Sequence, residues 1–168
     1  MGAGIIPTCI YKNKLHFLLG KENKHNDTPG WSDFGGGKEK GETLFNTAIR
    51  EGYEELSGFL GSKEYLKNHL KEKGTYKISD KTYTSYLFYY PYNKSLEHFY
   101  NNHYKCIEQK LDPSIIKNTT IFEKSQIKWV SIDELKNLEI RKFYQSIIQN
   151  IINEKSGIER FIKRVRVL

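Results

Sequence analysis

Of 168 residues only two are cysteine, one is methionine and four are proline, and the apolar residues never gather into a long run. Each shortage excludes something. Cys9 and Cys106 stand far apart, with no partners at metal-ligand spacing, so neither a disulfide framework nor a zinc knuckle is signalled and a reducing, intracellular location is expected. No stretch approaches the roughly 20 apolar residues that span a membrane. The start, Met1 to Ile6, carries no charged leader ahead of an apolar run, and Ile6 stands where a myristoylation signal requires Ser or Thr. A soluble, cytoplasmic protein with no membrane partner is the expectation.

What is present describes a globular chain. Hydrophobic residues make up 38% of it, with 12 Tyr and 9 Phe supplying the bulk that methionine does not. The length suits one domain with more than one layer of secondary structure, and neither an internal repeat nor a low-complexity linker argues for a second. A formal charge of +7 favours phosphate-rich partners, whether small molecules or RNA, because a cationic surface concentrates polyanions. A Lys-rich and Asn-rich surface accounts for the same charge without any partner, so charge alone selects no substrate.

Along the chain, Ile5 to Tyr11 and Leu15 to Leu19 read as two strands joined by a tight turn at Lys12-Asn13-Lys14. A polar loop, Gly20 to Gly30, leads to a short aromatic strand, Trp31 to Phe34, which runs into Gly35, Gly36 and Gly37. From Thr43 to Leu56 the apolar residues recur at three-to-four spacing and predict an amphipathic helix, stopped by Gly58 and Gly61. A charged helix over Lys63 to Lys73 and two strands, Thr75 to Ser79 and Thr82 to Tyr92, follow. Residues 93–118 read as an insertion near the site, with a helix from Leu96 to Leu111 ended by Asp112-Pro113. Ile127 to Val130 predicts another strand, Ser131 with Glu134 a capping box opening a helix, and Ile140 to Asn153 a long helix ahead of a basic end, Arg160 to Leu168.

The chemistry concentrates in Gly36-Gly-Lys-Glu-Lys-Gly-Glu42, followed after seven residues by Arg50-Glu51-Gly52-Tyr53-Glu54-Glu55. On a helix Glu51, Glu54 and Glu55 stand at i, i+3 and i+4 and crowd one face. Three mutually repelling carboxylates make sense as a solvated acidic face, or as the oxygen-rich ligand set of Mg²⁺ or Mn²⁺.

This segment resembles the signature of the Nudix hydrolase family: Gly, five residues, Glu, seven residues, then Arg-Glu-apolar-x-Glu-Glu and, shortly after, Gly-apolar. Gly36, Glu42, Arg50, Glu51, Glu54 and Glu55 all fall at the required spacings. With six fixed positions each matched at about 7% frequency, a random window succeeds on the order of once in ten million trials, so the resemblance is specific. Two departures stand at its end. Gly52 replaces an apolar residue, where its small size would admit a close neighbour, and two residues rather than one separate Glu55 from Gly58-Phe59.

The resemblance implies an α/β/α sandwich around a mixed sheet, one Nudix domain over residues 1–168, and hydrolysis of a diphosphate linkage with Mg²⁺ or Mn²⁺. It implies metal ligation by Glu51, Glu54, Glu55 and the Gly35 carbonyl, with Arg50 orienting a carboxylate and Glu42 bracing Arg50. Around Glu123, the order Glu, then Ile127 and Trp129, is similar to mRNA-decapping members and makes Glu123 the candidate general base; a solvated loop glutamate is the plain alternative. Lys21, Lys38 and Lys40 flank the motif, open to phosphate contact or to a plain role as solvated surface lysines, and Lys21 and Lys38 are the candidates for substrate binding. The Tyr and Phe run from Tyr83 to Tyr92 is open to base stacking or to half-buried strand packing, and His98 and His103 are poorly placed to share a ligand. Candidate substrates are nucleotides, including the 5′ cap of RNA. A diphosphoinositol polyphosphate, a free nucleoside triphosphate, and a role as a non-catalytic nucleotide- or RNA-binding module are the rivals.

Overall fold

The computed structural model describes residues 1–23, 28–119 and 122–167. The middle of the polar loop expected over Gly20 to Gly30 therefore lies outside the described residues, as does Leu168. Strand β1 (Gly2–Tyr11) and strand β2 (Lys14–Glu22) form a hairpin whose two turn residues, Lys12 and Asn13, both take left-handed backbone, at φ 47° and 61°. That conformation matches the twist of the flanking strands.

The two strands pair only near the turn, from Thr8↔Phe17 to Tyr11↔Lys14, and then diverge. The gap takes two short strands, β3 (Trp31–Ser32) against the end of β2 and β4 (Phe34–Gly37) against the start of β1. The expected single strand over Trp31 to Phe34 is thus two, parted at Asp33. The other edge of β1 pairs in parallel with β6 (Tyr83–Tyr89), which continues to β5 (Tyr76–Ser79), and β7 (Lys124–Ser131) pairs with β2. The result is a mixed seven-stranded sheet among the described residues.

Alternation along the strands fills both faces. Ala3, Ile5, Cys9 and Leu18 meet α1 (Leu44–Glu55), α2 (Lys63–Lys73) and α3 (Lys94–Lys110) on one side. Ile6, Leu15, Phe17 and Leu19 meet α5 (Gln145–Asn153) and α6 (Lys155–Arg166) on the other. This is the expected α/β/α sandwich, and among the described residues no helix is long and apolar enough to cross a membrane.

Four local expectations are corrected. The basic end is not a segment apart but the second half of helix α6: Ile158, Phe161, Ile162 and Val165 are buried along one face, and the cations occupy the other. The helix expected from Ile140 begins only at Gln145, because Ile140 bridges to Trp31 and a short 3₁₀ turn, Lys142–Tyr144, intervenes. After Ser131 there is one 3₁₀ turn, Glu134–Asn137; the Glu134 carboxylate does accept from Ser131 N and Oγ, but the Ser131 hydroxyl is spent on that carboxylate and caps no backbone N–H. Asp112-Pro113 ends α3 as expected and also starts a short helix, α4 (Pro113–Asn118), with Asp112 accepting from Ser114 N and Pro113 in the first turn, where a missing N–H costs nothing.

Helix α3 is the main body of the expected insertion, and it packs on β7, the strand at that edge of the sheet. Asn101 accepts from Ile127 N at 2.8 Å and donates to Ile127 O at 3.1 Å, while the Glu97 carboxylate accepts from Trp129 N. Helix α3 thereby satisfies backbone groups that an open strand edge would leave exposed.

Candidate active site

Helix α1 opens with Thr43, whose hydroxyl accepts from Asn46 N at 3.2 Å, and buries Thr47, Ala48, Ile49, Gly52 and Glu55. Gly52 explains the missing apolar residue of the motif. A Cβ at this position would lie 2.5 Å from Ile5 Cγ1, so only glycine lets the helix settle this close to β1. The close approach sets the acidic face against β4. A Cβ on Gly36 would fall 2.6–2.7 Å from the Glu51 carboxylate, and Gly35 N donates to Glu55 Oε2 at 2.8 Å. Because a residue in an antiparallel ladder turns its N–H and C=O to the same side, the Gly35 carbonyl also leaves the sheet on the helix side.

Arg50 gathers the rest. Its Nε donates to Glu42 Oε1 at 2.9 Å, Nη2 to Glu42 Oε2 at 3.1 Å and to the Gly37 carbonyl at 3.0 Å, and Nη1 to Glu51 at 2.7 Å and Glu54 at 3.4 Å. The planar guanidinium suits this forked contact, which an ammonium could not reproduce. Hydrogen bonding from Arg50 holds the Glu42 carboxyl down to about 2. Burial instead raises Glu51, against the pull of Arg50 and with the charges of Glu54 and Glu123 adding to the rise.

A second cation lies deeper. Lys124, the first residue of β7, is wholly buried, and its Nζ sits 2.8 Å from Glu22 Oε2, 3.0 Å from Glu55 Oε1 and 3.3 Å from Ser32 Oγ. Arg141 also donates to Glu22. Burial pushes Glu55 up to about 8, opposed by Lys124. For Lys124 burial favours the neutral form, but Glu55 and Glu22 outweigh it and hold the ammonium above its usual range. Tyr100 of α3 donates to the carbonyls of Glu55, at 2.8 Å, and Lys124, at 3.2 Å, and so ties the end of α1 to the start of β7.

The structure therefore brings Gly35, Gly36, Glu42, Arg50, Glu51, Glu54 and Glu55 together around the β4–α1 junction. Glu123 joins them: it is half-buried, and burial raises it, with Lys124 opposing and the Glu22 and Glu54 charges adding. The two lysines are placed differently. Lys21 lines a cavity of about 530 Å³ between β2, β7 and α3, whereas Lys38 is exposed just past β4. Lys40 is exposed as well. His98 contacts Asn102, and His103 stacks near Phe122. Most of the Tyr83 to Tyr89 strand is buried.

Sequence reading missed Lys124 and Glu22, since a lysine beside a glutamate at a strand start carries no mark of burial. It also missed Asp33, which accepts from Tyr83 Oη at 2.9 Å and Ser85 Oγ at 2.6 Å in the opposite layer.

The NUDIX domain family matches residues 4–151 of the chain, which span every element from β1 into α5. The chain belongs to the NUDIX domain family. Its enzyme class is that of the family, a pyrophosphohydrolase. Among solved structures, the Nudix hydrolase RenU of M. smegmatis superposes with a TM-score of 0.54 at 14% identity, over 94% of this chain and 86% of its own. A C. elegans Ap4A hydrolase, seen as a binary complex, gives 0.53 at 16%, over 93% and 97%. A bifunctional NMN adenylyltransferase/ADP-ribose pyrophosphatase from Francisella tularensis, complexed with AMP and a manganese ion, gives 0.53 at 18%, over 91% of this chain and 41% of that one. At these identities the likeness establishes the fold. No curated protein matches the chain in sequence.

The donor chemistry of this Nudix helix fits a hard divalent cation. Glu51, Glu55 and Glu123 are each pushed towards the neutral form by burial and by neighbouring carboxylates, an excess of negative charge that a dication relieves. Among the described residues no three His, Cys, Asp or Glu side chains are already gathered as a group able to hold the ion. Arg50 bonds Glu51 and Glu54, whereas Lys124 bonds Glu55.

Proposed function

We propose that this Nudix chain cuts a diphosphate linkage in a nucleotide-type substrate, a nucleoside diphosphate joined to a second group, with Mg²⁺ or Mn²⁺ held by Glu51, Glu54, Glu55 and the Gly35 carbonyl. The observation that carries the reading is the packing of one acidic helix face, braced by Arg50, against the glycine strand. When bound, the metal neutralises the diphosphate and lowers the pKa of a coordinated water.

In this reading Arg50 fixes the directions of Glu51 and Glu54, and Glu42 fixes Arg50. Glu123 takes the proton from the water that attacks phosphorus, while the bond from phosphorus to the bridging oxygen breaks and the leaving phosphate carries away its electron pair. Lys21 and Lys38 serve as phosphate contacts in this reading, and the net positive charge favours the encounter. Residues 1–168 serve as one domain, with 93–118 the insertion that ties α1 to β7, and the setting is a reducing, intracellular one. The nucleotides named with two of the similar structures support a nucleotide substrate.

The test is release of product from a panel offered with Mg²⁺: dinucleoside polyphosphates, ADP-ribose, nucleoside triphosphates, capped RNA and a diphosphoinositol polyphosphate. Turnover of a nucleoside diphosphate derivative, lost in Glu54→Gln, supports the proposal. Release of methylated guanosine diphosphate would narrow it to decapping, and exclusive use of the inositol compound would replace it. No turnover of any diphosphate would leave a binding module.

A further inference from the structure

The layer opposite the acidic helix carries a concentration of positive charge. Helix α6 buries Ile158, Phe161, Ile162 and Val165 and leaves Lys155, Arg160, Lys163, Arg164 and Arg166 exposed. Lys163, Arg164 and Arg166 stand in its last turn, where the negative end of the helix dipole favours cations. Arg160, a turn earlier, gains little from that field. Together with Arg164 it lines a cavity of about 480 Å³ between α6 and the start of β5, whose other walls are Thr75, Tyr76, Gly157 and Phe161.

Ring contacts shape the cavity. Tyr76 packs against the buried Phe161 with ring centres 5.8 Å apart, and its hydroxyl donates to Glu154 at 2.7 Å. The Arg164 guanidinium lies 5.8 Å from the centre of the Phe161 ring. Gly157 lets Tyr76 come this close to the helix, since a Cβ there would lie 2.4 Å from the tyrosine hydroxyl oxygen. The cavity lacks counter-charge. Among the described residues neither Arg160 nor Arg164 has a carboxylate within 4.0 Å, and the half-buried Thr75 side chain has no hydrogen-bond partner.

We propose that this cavity binds the phosphate group of a small phosphorylated molecule, at a site separate from the glutamates of α1. Arg160 and Arg164 donate to phosphate oxygens, and the Thr75 hydroxyl donates to a third. Arginines at i and i+4 stand over one helical turn, and their planar forks match phosphate oxygens. A carboxylate offers two oxygens and leaves one of the three groups unused. An RNA strand would need a row of cations continuing past the cavity, whereas Lys155 and Lys163 of the same helix do not line it. The sheet lies between α6 and α1, so binding here stands whether or not the glutamates turn over a diphosphate.

The experiment measures binding of inorganic phosphate and of glycerol 3-phosphate by calorimetry, without divalent metal and at fixed ionic strength. The proteins are the parent, Arg160→Gln/Arg164→Gln, Lys155→Gln/Lys163→Gln and Thr75→Val. Both probes are expected to bind the parent, about tenfold or more weakly after loss of the two arginines and about threefold or more weakly in Thr75→Val. The lysine variant removes equal charge from the same helix and should bind like the parent, and succinate should not compete. Absence of binding by the parent, undiminished binding in the arginine variant, an equal loss in the lysine variant or equal affinity for succinate overturns the proposal. Should the arginine variant unfold by circular dichroism, Thr75→Val decides, and unchanged affinity there overturns it. A single-stranded RNA oligonucleotide that displaces phosphate and weakens equally in both double variants would make α6 a nucleic-acid surface instead.

Discussion

The Lys124 ammonium and the Glu55 carboxylate meet at 3.0 Å in the interior, from strand β7 and helix α1, with Glu22 on the other side of the same nitrogen. Removing Lys124 leaves the buried Glu22 and Glu55 carboxylates without the cation they share. Lys124→Met is therefore expected to cost about 3–5 kcal/mol of stability, read from urea unfolding at neutral pH. An unchanged midpoint and slope would mean that the ion pairs do not exist as described.

Gly52 and Ile5 form a similar pair in the apolar layer. Gly52→Ala gains about 1 kcal/mol of helix propensity but forces a methyl group onto Ile5, so a net loss of about 1–2 kcal/mol is expected. In an Ile5→Ala background the same substitution should turn neutral or stabilising, and thermal unfolding of the four proteins in the cycle measures the coupling.

Glu42 provides a pH test well away from the buried pair. Its folded-state carboxyl is held down to about 2, below its ordinary 4.5, chiefly by hydrogen bonding from Arg50. A depressed acid adds stability above its unfolded value and loses it as pH falls through the folded one. The stability gap between the parent and Glu42→Gln should be full at pH 6 and shrink between about pH 4.5 and 2, as acid titration followed by circular dichroism would report.

The two thiols should behave oppositely. Burial pushes Cys9 up to about 12, whereas Cys106 is exposed. One thiol per chain should react with a disulfide reagent at pH 8 in the native protein, and both in denaturant. Rapid reaction of both in the native state would contradict the burial of β1.

For the site, Arg50→Lys keeps the charge but loses the fork that joins Glu42, Glu51 and Glu54, and turnover with Mg²⁺ is expected to fall about 10- to 100-fold. Glu123→Gln, if Glu123 is the base, should fall by about 10²-fold or more with the fold intact. Parental rates in either variant would remove the residue from the proposed roles.

Much of this was legible beforehand, for identifiable reasons. Helix α1 and its glutamates announce themselves because helical spacing and motif spacing coincide over Gly36 to Glu55. The β1–β2 hairpin was readable because a short polar turn parts two β-rich runs. Lys124 was invisible, since burial of a charge depends on partners 102 and 69 residues away in the chain, Glu22 and Glu55. Arg141 and Phe143 were absorbed into an expected long helix, but Ile140 bridges to Trp31 and Phe143 lies in a 3₁₀ turn ahead of that helix. In α6 the cations drew attention from the regular spacing of Ile158, Phe161, Ile162 and Val165, which determines the packing.

Titrating Mn²⁺ into the protein and following the free-ion signal by electron paramagnetic resonance is the most direct measurement of whether the α1 carboxylates gather a metal. The parent should remove the signal, Mg²⁺ should restore it by competition, and a Glu54→Gln/Glu55→Gln double variant that still folds should leave it untouched. An undiminished signal from the parent, with a nucleoside diphosphate present as well as without, would contradict the account at its centre.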